Sequence, residues 1–243
     1  MNSHTNATTQ SRFLHKIFST VYQNYDLVNR IMTLGLDGRW RRRAARECLI
    51  SRPRRVLDLA CGTGDLAIEL AQQAGDGSAV IGIDFSRTML KMAVKKAKKV
   101  HNSSRLSFIY GNAANMPFTD SYFDSIGTSF SFRNLTYNNP LLGQYTAEVL
   151  RVLRADGRFV ILETSQPGPS FMRKLYQIYM RYFVFWLGYL ISGSREAYHY
   201  FAESVACYYP PEELKQVLLE AGFRQVSFRR LLFGVVSIHI ATK

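Results

Sequence analysis

Residues 55–67 read Arg-Val-Leu-Asp-Leu-Ala-Cys-Gly-Thr-Gly-Asp-Leu-Ala, and residues 80–84 read Val-Ile-Gly-Ile-Asp. Val56, Leu57 and Leu59 form the short apolar run expected of a strand buried on both faces of a parallel sheet. The run stops at the small residues Ala60, Gly62 and Gly64 and resumes as a helix carrying Leu66, Ala67 and Leu70. A strand, a small-residue turn and a helix in that order confine the chain to α/β folds with parallel strands. Small side chains let a ligand lie against bare backbone, and the helix N-terminus offers free N–H groups. About twenty residues beyond the glycines, a second apolar strand ends in Asp84, a carboxylate placed to accept both hydroxyls of a ribose. The combination predicts a nucleoside-containing cofactor. Asp58, just before the loop, favours one with a cationic end.

Two cofactors fit this segment. Gly62-Thr-Gly64-Asp-Leu-Ala67, with Asp84, satisfies the dinucleotide fingerprint. Asp58-x-Ala60-x-Gly62-x-Gly64 equally matches the acidic-first loop of methyltransferases that use S-adenosylmethionine (SAM), with Ala60 in place of the usual first glycine. Asp58 and Asp65 would repel a pyrophosphate, whereas SAM carries an ammonium and a sulfonium. The rest of the chain sharpens the choice. Further strands are expected at 106–110, 123–129 and 158–164, with helices at 65–74, 87–101 and 140–153, and Asp156-Gly157 signals a turn before the fifth strand. The ending differs: a helix at 211–221 closed by Gly222, then strands at 224–232 and 235–241 around Phe233-Gly234. The expected fold is therefore a doubly wound, mostly parallel seven-stranded sheet with a terminal antiparallel hairpin. That is the class I SAM methyltransferase plan and not that of a dinucleotide dehydrogenase.

With 243 residues the chain suits one domain, and 47% hydrophobic content excludes disorder. Residues 1–10 are polar with no apolar core, which predicts a flexible tail rather than a signal peptide, with a single domain over 11–243. Cys48, Cys61 and Cys207 are odd in number and widely spaced, so neither a disulfide framework, a zinc site nor any other metal is indicated, and the compartment reads as cytoplasmic. The net charge of +13 is uneven, with eight arginines between Arg39 and Arg55 against Glu47 alone. That run suits an anionic membrane surface or RNA. Lys91, Lys95, Lys96, Lys98 and Lys99 read instead as the solvated face of one helix.

The remaining cofactor contacts are expected beyond the carboxyl ends of the strands. Asn112 follows the third strand, where its amide suits adenine's exocyclic amine, and the Ala113 backbone can address a ring nitrogen. Ser129, after the fourth strand, falls against the methionine portion. Between residues 167 and 192, Phe171, Tyr176, Tyr179, Tyr182, Phe183, Phe185, Trp186 and Tyr189 crowd one helical stretch. Its uncharged part, 182–194, is too short to cross a bilayer, so the segment lies on a membrane or roofs an apolar pocket.

Taken together, these segments resemble the ubiquinone/menaquinone biosynthesis C-methyltransferase family from about Phe18 to Lys243. The matching elements are Tyr25-Asp-Leu-Val-Asn29-Arg-Ile-Met32 with Trp40, residues 56–65, Asn112-Ala113, Met116-Pro117-Phe118 and Ser129-Phe-Ser-Phe-Arg133-Asn134. Leu162-Glu163, Tyr198-x-Tyr200-x-Ala202-Glu203-Ser204 and Gly234-Val-Val-x-x-His239 follow. By that resemblance the cofactor is SAM, held by Thr63, Asp84, Asn112, Ala113 and Ser129, with Gly62 and Asp58 in the loop. It also implies a prenylated quinol substrate, a helical cap made of 11–50 and 167–209, and a place peripheral to the membrane. Ala206 stands where the family often has arginine, and Tyr208-Tyr209 replaces His-Pro; both fall in the cap and bear on which quinol is taken.

Methylating an aromatic carbon needs an electron-rich ring, preferably a phenolate, so a phenolic pKa of about 10 must be lowered. Arg133 is a fixed cation suited to that anion. Asn134 suits a hydrogen bond to the ring oxygen, and Tyr25 a proton relay, with His239 or water as rival bases. Glu163, at the end of the fifth strand, is expected to pair with a backbone donor or an arginine, and its role in the chemistry is undecided by the sequence. An RNA methyltransferase and a non-catalytic scaffold of a quinone-synthesis complex stand as alternatives. Against the first, the fourth strand lacks an Asn/Asp-Pro-Pro-Tyr segment; against the second, the cofactor set is intact. Neither ring class, naphthoquinol or benzoquinol, nor a homodimer is decided by the residues, although a naphthoquinol is favoured.

Overall fold

The computed structural model describes residues 25–192 and 194–243. The expected tail at 1–10 and the start of the domain to residue 24 lie outside them, as does the side chain of Tyr25. Two helices, α1 (Tyr25–Met32) and α2 (Asp37–Leu49), precede the alternating part. It comprises β1 (Arg55–Leu59), α3 (Asp65–Gln73), β2 (Ala79–Asp84), α4 (Arg87–Ala97), β3 (Leu106–Tyr110) and β4 (Phe123–Ser129). There follow α5 (Phe132–Thr136), α6 (Leu142–Val152), β5 (Leu153–Thr164), α7 (Ser170–Ile178), a π-helical segment (Tyr179–Val184), α8 (Phe185–Ser192) and α9 (Arg195–Ala206). The chain closes with α10 (Pro211–Glu220), β6 (Gln225–Leu231) and β7 (Val236–Thr242).

The seven strands run β3-β2-β1-β4-β5-β7-β6. The first five in that order are parallel, and β7 is antiparallel to both β5 and β6. Strand order therefore reverses between β1 and β4, the crevice where α/β sheets bind ligands. One face of the sheet buries Leu57, Ile126, Phe132 and Phe159 beneath α6 and α10. The other buries Val56, Val80 and Val160 against Trp40 and Ala44 of α2 and Leu66 and Leu70 of α3. Helix α2 thus turns Trp40, Ala44, Ala45 and Cys48 inward while Arg39, Arg42, Arg43 and Arg46 stay exposed.

Three local readings need correction. Asp156-Gly157 does not precede the fifth strand but lies inside it: the register with β4 jumps from Phe123↔Leu153 to Ser125↔Arg158, and Asp156 takes φ +58° in the bulge. Helix α4 ends at Ala97, short of the expected 101. The aromatic stretch is broken by the π-helical segment. Tyr176, Met180 and Val184, four residues apart, turn inward against Val205 of α9. Phe171, Leu175, Tyr182, Trp186 and Leu190 face outward. Among the described residues no helix is long and apolar enough to cross a membrane.

Candidate active site

The loop after β1 opens onto the crevice between β1 and β4. Gly62 takes φ +54°, and a Cβ there would meet nothing within 4 Å, so open space lies against its backbone. Gly64, at φ +82°, opens α3, and a Cβ there would fall 2.9 Å from that of Ala93 on α4. Ala60 holds a left-handed φ of +52° where the family motif has glycine. Its carbonyl accepts the Ser131 hydroxyl at 2.8 Å, and the same hydroxyl reaches the Ser129 carbonyl at 3.0 Å. One side chain therefore ties together the loops that leave β1 and β4.

The Asp84 carboxylate is fixed at the end of β2 by the amides of Gly62 (2.8 Å) and Ser86 (2.7 Å), one on each oxygen. Each oxygen keeps a lone pair for a hydroxyl donor. Burial raises the Asp84 pKa, and the two amides oppose that shift. Asp58 is buried with one oxygen on the Ala67 amide at 2.8 Å, while Oδ1 has no partner. Burial pushes its pKa well up, which the backbone bond and Arg41 counter. Asp58 stands on the strand that leads into the glycine loop, and a cationic ligand group would satisfy its orphaned oxygen. Asn112 is exposed, and its Oδ1 accepts the Ala114 amide at 2.9 Å in a local turn. The oxygen expected to meet adenine's amine is therefore already partly committed. Ala113 and Ser129 are half-buried at the ends of β3 and β4. Open backbone, a pinned carboxylate and an orphaned one fit SAM, the cofactor of this fold's methyltransferases.

A second compartment lies under the cap. A largely apolar cavity of about 350 Å³ is lined from α1 (Asn29, Met32), α2 (Trp40, Arg41), the β4–α5 junction (Phe130, Arg133) and the end of β5 (Glu163, Thr164). The cap supplies Tyr176, Tyr179, Met180, Phe183 and Val184, α9 gives Phe201 and Val205, and the β6–β7 turn adds Leu232, Val235 and Val236. Two cations line it: Arg41, held by Asp37, and Arg133, 2% exposed, in its floor. Nη1 donates to Ser204 Oγ, the guanidinium stands 5.1 Å from the Phe201 ring, and Nε lies 3.9 Å from Glu163 Oε1 without a hydrogen bond. Glu163 is fully buried, accepting the Arg133 amide at 3.0 Å and the Thr164 amide at 2.8 Å. Its undecided role resolves to both expected kinds of partner.

Asn134 is buried with Oδ1 unpartnered, but it does not line the cavity. His239 also stands away from it. Its Nε2 bonds the Pro211 carbonyl at 2.9 Å, and burial pulls its pKa from 6.5 down to about 4. That arrangement makes it a buried anchor for α10 and removes it as a rival base. Tyr208 is buried, its hydroxyl 3.0 Å from Thr136 Oγ1, and with Ala206 and Tyr209 it does not line the cavity. Those departures from the family pattern therefore act on packing behind the pocket.

Sequence reading missed the link between the two compartments. Thr63 donates to Asp26 Oδ1 at 2.8 Å and accepts from Lys96 Nζ at 3.0 Å. Lys96 is not on a solvated face: it pairs with Asp26 at 2.9 Å and with Asp65. Asp26 belongs to α1, whose Asn29 and Met32 line the cavity, so one helix touches both halves. The signal was the acidic residue in the Tyr25-Asp26 motif, but its basic partner is 70 residues away.

The comparisons with known proteins agree with this geometry. The model of the ubiE/COQ5 methyltransferase family matches residues 5–243. A demethylmenaquinone methyltransferase of Thermus thermophilus is 40% identical, covering 93% of this chain and 100% of that protein. The ubiquinone/menaquinone biosynthesis C-methyltransferase UbiE of Proteus mirabilis is 35% identical over 92% of this chain and 88% of its own. A SAM-dependent methyltransferase of Aquifex aeolicus superposes with a TM-score of 0.55 at 19% identity, covering 82% of this chain and 88% of that one, which supports the fold alone. On a match that spans nearly its whole length, the chain belongs to the ubiE/COQ5 methyltransferase family.

Proposed function

We propose that this enzyme transfers the methyl group of SAM to a ring carbon of a prenylated hydroquinone, converting a demethylmenaquinol to a menaquinol. The observation that carries the reading is Arg133: a buried cation, its Nε–H without a hydrogen-bond partner, in the floor of a largely apolar cavity. An isoprenoid quinol needs an apolar chamber for its tail and one fixed positive charge for its ring oxygen. Asp84, Asp58, Gly62, Thr63, Asn112, Ala113 and Ser129 would hold SAM, which when bound supplies an electrophilic methyl group.

Arg133 stabilises the phenolate that makes the ring carbon nucleophilic, lowering a phenolic pKa that is otherwise about 10. Glu163 and Ser204 hold the guanidinium in place, and Phe201 covers its face. Tyr25 relays the ring proton toward solvent, releasing its own hydroxyl proton as it accepts, and Asn134, which lies outside the cavity lining, would have to turn toward it to donate to the ring oxygen. Trp40, Phe130 and the cap exclude water from a reaction in which charge is lost. The arginines exposed on α2 and the outward aromatics of the cap suit peripheral contact with an anionic membrane from the cytoplasmic side. Both ring classes occur in the relatives' names; the naphthoquinol is favoured because the name of the more similar relative, that of Thermus thermophilus, carries it alone.

Expression in a host that lacks quinone methylation tests the reading. Mass spectrometry should find menaquinone one methyl heavier than the host's demethylmenaquinone. Unmethylated quinones, with soluble SAM-binding protein present, would contradict it.

A further inference from the structure

Three residues that line the cavity are also strongly exposed: Leu34 at 84%, Phe183 at 53% and Leu232 at 44%. A side chain that both lines a cavity and faces solvent stands at its mouth. These three come from the α1–α2 turn, the π-helical segment and the β6–β7 turn, so the mouth is rimmed by apolar side chains from separate parts of the chain. Phe233, next to Leu232 but not in the cavity, is 77% exposed.

The backbone there is unusual as well. Leu34, Leu232 and Phe233 take φ of +52°, +43° and +55°, a region bulky residues seldom occupy and turns normally give to Gly, Asn or Asp. Two turns thus hold large apolar side chains out into solvent in a costly conformation. Exposed cations flank the same points in sequence: Arg30 and Arg39 around Leu34, Arg181 before Phe183, and Arg229 before Leu232. None of the four pairs with an acidic side chain among the described residues.

We propose that the mouth of the cavity docks on an anionic lipid bilayer. Leu34, Leu232 and Phe233 seat among the acyl chains, and the four arginines meet headgroup phosphates. A prenyl tail then slides from bilayer to cavity without crossing water. This proposal rests on the functional reading above for the tail, and adds the surface and the residues that engage the membrane. Apolar tips flanked in sequence by exposed cations match such an interface in both layers. A second copy of the chain fits less well, because across a two-fold interface the same unpaired arginines would face one another.

The test uses the full chain and its Phe233→Asp variant, since aspartate tolerates positive φ and the turn keeps its shape. Both are sedimented with vesicles of equal parts phosphatidylcholine and phosphatidylglycerol, and with phosphatidylcholine alone. Wild type should bind the mixed vesicles far better, and Phe233→Asp should lose roughly tenfold or more of that binding. The variant's thermal midpoint should not fall, and its turnover of a tail-less demethylnaphthoquinol added in solution should match wild type. Equal vesicle binding by the two proteins would overturn the proposal. So would ultracentrifugation that finds a wild-type dimer and a Phe233→Asp monomer, which would make the patch a subunit interface. If vesicle binding behaves as stated but neither tailed nor tail-less quinol is methylated, the docking surface stands and the functional reading fails.

Discussion

The heart of the cofactor end, Asp58, the glycine loop and Asp84, falls between residues 58 and 84, whereas the cavity under the cap draws on segments as distant as Asn29 and Val236. On the proposed reading, the backbone does most of the recognition at the cofactor end, through Gly62 and a carboxylate pinned by two amides. In the cavity, the proposed recognition belongs to side chains: aromatic and aliphatic walls around two ion pairs, Arg133–Glu163 and Arg41–Asp37. The first kind of site can be carried from one methyltransferase to another as a short motif. The second must be rebuilt for each substrate, which places specificity in the cap. The two meet at α1, where Asp26 holds Thr63 and Lys96 while Asn29 and Met32 face the cavity, and at Arg41 of α2, which lines the cavity and lies 3.6 Å from Asp65.

If the two halves are separate in this way, each should fail alone. The largest effect is expected for Asp84→Ala. Two charge-assisted bonds of about 1.5–3 kcal/mol each would be lost, so SAM affinity should fall by about 10²–10⁴. Calorimetry checks this, and wild-type SAM affinity in the variant would break the assignment. Next, Glu163→Gln leaves the buried Arg133 without its counter-charge and should lower unfolding stability by about 3 kcal/mol in urea, with SAM affinity nearly unchanged. A parallel loss of SAM affinity would show that the halves are coupled through the sheet.

A smaller effect concerns the hairpin that supports the cavity floor. His239 has a folded pKa of about 4 against 6.5 unfolded, so the unfolded chain binds more protons between those values. Its stabilising neutral form is fully present above pH 6.5 and is lost as pH falls toward 4, a loss on the order of 2 kcal/mol. The buried Asp58 and Asp84 carry raised pKa values and act with opposite sign, favouring the fold as pH falls. The comparison with His239→Gln isolates the histidine: the variant's stability should vary less between pH 7 and 4.5. Equal slopes would remove His239 as the cause. The smallest effect is Asp26→Asn, which should raise the SAM dissociation constant and the quinol KM together by only a few-fold, about 1 kcal/mol. A change in one constant alone would show that α1 serves a single half.

What could be read from the sequence follows the same division. Strands buried on both faces, such as Val56–Leu59 with Asp58 as its one polar residue and Ile81–Ile83, are short apolar runs and show themselves directly. Asp84 and the glycine loop were legible because the contacts they make lie within about twenty residues. Asp156-Gly157 misled because a bulge and a turn use the same residues, and only pairing with β4 separates them. Lys96 looked solvated because helical periodicity cannot register an aspartate on a distant helix. His239 read as a base because its partner, the Pro211 carbonyl, is set by tertiary packing. The cap was visible as composition, an aromatic stretch with no charge, but which of its rings turn inward depends on the π-helical segment.

The most direct test of this division is Arg133→Ala, measured for SAM binding and for turnover of a demethylnaphthoquinol in the same preparation. The dissociation constant for SAM should stay within a few-fold of wild type, since Asp84, Asp58 and the glycine loop are untouched. Turnover should fall by about 10²–10³, recover partly in Arg133→Lys, and rise in the alanine variant with pH as the phenol ionises unaided. Unchanged turnover, or a loss of SAM affinity that matches the loss of rate, would contradict the assignment of Arg133 to the ring and of the cavity to the quinol.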